Sequence, residues 1–163
     1  MRRRPGVAEW RPASLGRGCG VSAGEGSSHA GIGWRLAPGD PWQPAGLSAR
    51  KDYDEQTLSR YELISGAWPH KKFFAVGQGG DAAYGIDMGD RVYIRVDDYE
   101  TEVTIGGMPQ DQVVQPPSFG GNPQFYTTLE NFGYLTGSET FNRIFAATAR
   151  FDQTHAQAIA DAM

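Results

Sequence analysis

The run from Lys72 to Ile105 constrains this chain most, because it alone holds β patterning over a long distance. Phe73-Phe74-Ala75-Val76 is a short apolar run closed by Gly77-Gln78-Gly79-Gly80-Asp81, the form of a strand buried on both faces. Tyr84 and Ile86 alternate with Gly85 and Asp87, and Met88-Gly89-Asp90 supplies a turn. In Arg91–Val96 the alternation is plain: Val92, Ile94 and Val96 face one way, Arg91, Tyr93 and Arg95 the other. Asp97-Asp98-Tyr99 breaks the pattern, and Thr101, Val103 and Ile105 resume it. The stretch predicts an antiparallel meander with one dry and one wet face.

The flanks read differently. Residues 1–46 are rich in Arg, Gly, Ser and Pro, with isolated apolar residues and no sustained period, which predicts an extended or flexible arm. Residues 47–163 are then a single domain. Arg60–Ile64 alternates like a strand after a short helix or turn. Gly106–Pro123 is polar and rich in Gly, Pro and Gln, the composition of a recognition loop. Thr127 and Glu130 have capping-box spacing ahead of Leu129, Phe132 and Leu135, with Gly137 as a stop. Phe141, Ile144, Phe145, Thr148 and Phe151 follow a helical stripe. The expected fold is therefore α+β: an antiparallel sheet over about residues 72–105, packed by C-terminal helices, behind an irregular N-terminal arm.

Composition narrows the function classes. One cysteine, Cys19, permits neither an internal disulfide nor a cysteine metal cluster. Gly16-Arg17-Gly18-Cys19-Gly20 lacks the Lys-Ser/Thr ending of a phosphate loop. No apolar run approaches the roughly 18 residues that span a bilayer. The basic start, Met1–Pro5, lacks the apolar segment of a signal peptide, so secretion by that route is not expected and a cytoplasmic location is. His29 stands far from other ligand types, and His70, between Pro69 and Lys71, reads as a solvated loop histidine. No nucleophile–base pair stands out, so neither enzyme activity nor a catalytic residue, metal or cofactor is expected.

Charge is unevenly shared. Residues 1–50 carry seven Arg against Glu9, Glu25 and Asp40, while the rest holds eight Lys/Arg against sixteen Asp/Glu. An acidic domain is a poor partner for nucleic acid and a better one for a basic protein. The densest acidic group is Asp81, Asp87, Asp90, Asp97, Asp98, Glu100 and Glu102. Asp97, Asp98, Glu100 and Glu102, with Met108, Gln110 and Asp111 from the following loop, form the expected partner-binding set. No membrane contact is expected.

Two family resemblances attach to these residues. Gly46-Leu47-Ser48, the strand Phe74–Asp81, Gly85-Ile86-Asp87, Arg91-Val92-Tyr93-Ile94 and Phe125–Phe132 resemble, in order, the SUKH (SMI1/KNR4-like) immunity proteins. That resemblance implies a non-catalytic α+β domain that binds and neutralises a toxin. Phe74-Ala75-Val76-Gly77-Gln78-Gly79-Gly80, with Leu36–Trp42 upstream, resembles the glutamine loop of tuberculosis-necrotizing-toxin-type NAD glycohydrolases, an enzyme alternative centred on Gln78. A third reading is a structural subunit of a virion or secretion apparatus that uses its arm to tie neighbours together.

Overall fold

The computed structural model describes residues 21–111 and 121–148. Eight strands and two short helices follow in the order β1 (Val21–Arg35), β2 (Gln43–Arg50), β3 (Tyr61–Gly66), β4 (Phe73–Val76), α1 (Gly80–Tyr84), β5 (Arg91–Val96), β6 (Tyr99–Asp111), β7 (Gln124–Thr128), α2 (Leu129–Thr136) and β8 (Arg143–Thr148). The molecule is 52% strand and 11% helix, built on a closed, six-stranded mixed barrel. Around the barrel the order is β2-β7-β4-β6-β5-β1, and β1 pairs back onto β2. The β2–β7 and β4–β6 pairs are parallel; the other four are antiparallel. This corrects the expected α+β fold with its helix-covered antiparallel sheet.

Alternate residues of each strand fill the interior. Ile32 and Trp34 of β1 meet Ala45, Leu47 and Ala49 of β2, Phe125 of β7, Phe74 and Val76 of β4, Val103 and Ile105 of β6, and Val92, Ile94 and Val96 of β5. Barrels of this size hold side chains rather than a channel. Ile86 and Phe132, from the segments that follow α1 and open α2, are also buried in this core. Each such large apolar side chain contributes about 1.5–3 kcal/mol.

The differences from expectation have local causes. β4 is dry on both faces, as its composition implies, because Phe74 and Val76 enter the barrel while Ala75 packs into a second cluster outside it. A doubly buried strand suits a parallel partner, and β4 takes one in β6. Residues 21–46, placed in the arm, form β1, the turn after it and the first half of β2; residues 1–20 lie outside the description. Small residues in Gly26-Ser27-Ser28-His29-Ala30-Gly31-Ile32-Gly33-Trp34 hide a period of two, with Ser28, Ile32 and Trp34 inside. Tyr84 ends a helix, α1, instead of joining a strand. The loop expected at 106–123 is strand as far as Asp111, and 112–120 fall outside the description. The expected second helix is β8, paired antiparallel with β1. Phe141 and Phe145 satisfy a strand period as well as a helical one, and Gly26 leaves room for the Phe141 ring, which a Cβ there would meet at 2.5 Å. α2 does form, but Thr128 rather than Thr127 caps it, accepting from the Asn131 amide at 3.2 Å.

The second cluster packs outside β2, β7 and β4, beneath residues 51–60, β3 and Trp68. Tyr53 stacks on Trp68 at 5.2 Å, and Tyr61 meets Tyr126 edge-on at 5.0 Å. Arg50, 1% exposed, ties this annex down. Its guanidinium pairs with Glu25 at 2.8 Å, donates to the Leu58 and Ser59 carbonyls and lies 4.2 Å from the Tyr61 ring centre. Glu25 in turn accepts the Thr57 and Leu58 amides. Removing one member of such a buried pair strands the other charge. Arg50→Ala is expected to cost about 3–5 kcal/mol in urea unfolding. Arg91→Ala, which removes an exposed ion pair to Glu102, should cost at most about 1 kcal/mol. Equal costs would contradict this assignment.

Candidate functional site

Two groups of polar side chains gather on the outer wall of the barrel. On β1, β2 and β7, His29 lies between two hydroxyls: its Nε2 is 3.0 Å from Ser27 Oγ and its Nδ1 is 2.9 Å from Ser48 Oγ. Gln124 donates to Ser48 Oγ at 2.7 Å, and its side chain lies across Gly46. Asn142, just before β8, accepts from the His29 amide and donates to its carbonyl. Burial, then the charges of Arg143 and Arg50, lowers the His29 pKa from 6.5 to about 4. A serine–histidine pair invites a nucleophilic reading, but Ser27 and Ser48 are 0% and 2% exposed. Both imidazole nitrogens are taken by hydroxyls, which leaves neither for a carboxylate to orient. The group works as a latch that joins β1, β2, β7 and the lead into β8.

The second group lies where β1 meets β5. Trp42, just ahead of β2, folds back over Gly33, where a Cβ would come within 3.3 Å of its ring. The Arg35 and Arg95 guanidinium carbons lie 4.1 and 4.6 Å from the Trp42 ring centre. Arg35 also pairs with Glu100 at 3.3 Å. Beside it Arg91 pairs with Glu102 at 3.4 Å, and the hydrogen bond from Tyr93 to Glu102 holds the phenol's pKa above its ordinary value.

The expected partner-binding residues do not converge. Asp97 and Asp98 are the exposed turn between β5 and β6, with Asp97 at φ 51°, a region Asp tolerates better than most residues. Glu100 and Glu102 follow on the outer face of β6, where Arg35 and Arg91 balance them. Met108, Gln110 and Asp111 lie at the far end of the same thirteen-residue strand. Met108 packs against the barrel core, Gln110 is exposed beside Glu62, and Asp111 opposes Tyr61 and bonds Tyr126. Burial, then Asp111, keeps the Tyr126 phenol protonated. Gln78 is exposed in the turn before α1, its amide bonded to the Pro109 carbonyl. Among the described residues no three His, Cys, Asp or Glu gather where a metal ion could be held. No helix there is long and apolar enough to cross a membrane.

The sequence offers His29 only as a ligand without companions, and it gives no sign of the roles of Ser27, Ser48, Arg50 and Trp42. The available signal was the alternation in residues 26–34, which sets Ser27 and His29 on the face opposite Ile32 and Trp34. Depressing the His29 pKa has a fixed sign. Between pH 6.5 and about 4 the unfolded chain takes up a proton that the folded chain does not, so stability is whole above that window and falls as pH drops through it. With the imidazole only half-buried, the loss is about 1–2 kcal/mol. Urea midpoints at pH 7.5 and 4.5 should show a larger acid loss in the native chain than in His29→Gln; equal losses would contradict the latch.

No known family's sequence pattern matches the chain, and no curated protein matches it. Solved structures do. The extracellular domain of the noncanonic ABC-type transporter YknZ from Gram-positive bacteria is 13% identical, with a TM-score of 0.56 over 88% of this chain and 76% of that one. The periplasmic region of MacB from Actinobacillus actinomycetemcomitans is 10% identical, with a TM-score of 0.53 over 93% of this chain and 70% of that one. At such identities the likeness is one of fold. Both neighbours are extracytoplasmic domains of transporters. They run against the immunity-protein and toxin-neutralising reading with its alternatives, and against a cytoplasmic location.

Proposed function

We propose that this chain is a non-catalytic domain of an ABC-type transporter that stands outside the cytoplasm. The observation that carries the reading is the mixed barrel, whose likeness to the two extracytoplasmic transporter domains runs through 88% and 93% of the chain. The site geometry agrees with it: the serine–histidine group is sealed, and the charged outer face is made of balanced pairs, so the molecule works by presenting a rigid surface. Its expected partner is accordingly a protein, met through contact rather than chemistry.

Location is the direct test. Tyr134 is 82% exposed on α2 and makes a neutral place for a label. In a Cys19→Ser background, Tyr134→Cys is expressed from the natural gene, and cells stripped of any outer wall are treated with a membrane-impermeant maleimide. Labelling of intact cells is the expected result. Labelling only after lysis would place the domain in the cytoplasm and end this reading.

A further inference from the structure

The turn between Trp68 and β4 repeats the two-residue build of the β5–β6 turn, with a left-handed first tip residue in each, but its tip is basic where that one is acidic. His70 and Phe73 bridge to one another through both backbone hydrogen bonds, leaving Lys71 and Lys72 as a two-residue tip. All four side chains are exposed. The His70 ring stacks on Phe73 at 5.0 Å, and its Nδ1–H donates to the Trp68 carbonyl. Lys71 sits at φ 48°, a region in which a long side chain is strained and Gly or Asn is favoured. A lysine kept where glycine would fit better is an outlier that points toward use rather than folding.

The tip has an apolar neighbour. Phe73, 42% exposed, lies over Gly106, where a Cβ would meet its ring at 3.2 Å. Gly106 is pressed against Gly66, and a Cβ on Gly66 would meet Met88 Sδ at 2.8 Å. Met88 is itself 47% exposed. The two turns hang from adjacent residues of β6: the Thr104 amide donates to the Lys72 carbonyl, and the Gly89 amide donates to the Ile105 carbonyl. Asn131 at the start of α2 donates to the Lys71 carbonyl and braces the tip from the other side. Asp87 and Asp90 flank Met88 in the chain, and Glu130 precedes Asn131. Asp90 accepts the Asp87 amide, and no ion pair among the described residues involves Lys71 or Lys72.

We infer that the His70–Phe73 turn, with Met88 beside it, is a contact point for an anionic phospholipid surface. Two uncompensated ammonium groups flanked by half-exposed apolar side chains match a headgroup layer, where lysines meet phosphates and an aromatic ring enters the acyl boundary. The contact rests on the transporter reading in one respect, since a domain standing beside a membrane needs only a weak, reversible touch. The whole chain carries a net charge of −4, so attraction to an anionic surface must come from a local patch.

Flotation with vesicles tests it directly, using the full chain with phosphatidylglycerol–phosphatidylcholine vesicles and with phosphatidylcholine alone at low salt. The chain should prefer the anionic vesicles. Lys71→Gln and Lys72→Gln should each lower partitioning about fivefold, and about 0.5 M salt should abolish the preference. Phe73→Ser should weaken binding to both vesicle types. Lys71→Gly, which fits the left-handed turn, should lose binding as Lys71→Gln does while unfolding no earlier than the native chain. Arg91→Gln removes an equal charge elsewhere and should bind as the native chain does. Equal partitioning onto both vesicle types, or an equal loss in Arg91→Gln, would overturn the proposal. So would binding to native membranes alone that protease treatment abolishes, which would give the tip to a protein. A chain that labels from outside the cell but ignores vesicles loses this inference and keeps its proposed location.

Discussion

Closure of the barrel depends on three residues of β1. Over Gly33, Trp34 and Arg35 that strand pairs with β5, while at Gly33 and Trp34 its other edge still pairs with β2. Without that seam the six strands would be an open sheet with two long free edges, which invite pairing with other chains. Three residue pairs are a short joint, and the side chains above and below strengthen it. Trp34 fills the interior against Tyr84 and Phe125. Outside, Trp42 just ahead of β2, Arg35 from β1, Arg95 from β5 and Glu100 from β6 form one stack, so three strands and the lead into a fourth are riveted over the joint. Cation–π contacts of this kind contribute roughly 0.5–1 kcal/mol each when partly exposed. Gly33 lacks a side chain because the indole lies there.

The second half of the design is the annex. β1 continues past the barrel, where its first residues pair with β8. Glu25 on that extension and Arg50 at the end of β2 bind the segment between β2 and β3, whose backbone would otherwise leave polar groups unmet. Gln56 adds a two-way bond to the Tyr61 backbone. The buried charges therefore fix the position of a long connection, and the aromatic rings of Tyr53, Tyr61, Trp68 and Tyr126 shield them from water.

Legibility in the sequence followed the range of the interactions. Val92, Ile94 and Val96 declare a strand because their alternation needs only one hairpin to satisfy it. The doubly apolar Phe74-Ala75-Val76 run also carried its own signal, though not the identity of its two neighbours. Pairings such as β2 with β7 join residues far apart in the chain and leave no local period, so closure was invisible. β1 was read as an arm because its inward residues include Ser28 and Ala30, which weaken the hydrophobic contrast. Phe141 and Phe145 fit two periods at once, and the open edge of β1 decided between them. The acidic density at 97–102 was real in composition, yet Arg35, some sixty-five positions upstream, lies against Glu100.

A rigid, closed barrel is what lets a small domain present the same surface on its outer wall and at its turns. The central claim is closure itself, and the amides of the β1–β5 seam report on it. Nuclear magnetic resonance of the labelled chain should give cross-strand backbone contacts between Trp34 and Ile94. It should also show seam amides exchanging with solvent as slowly as those of Val92 and Val103 in the barrel core. Exchange at Trp34 and Arg35 as fast as at the exposed Asp97–Asp98 turn, with no cross-strand contact, would mean an open sheet and would contradict the account.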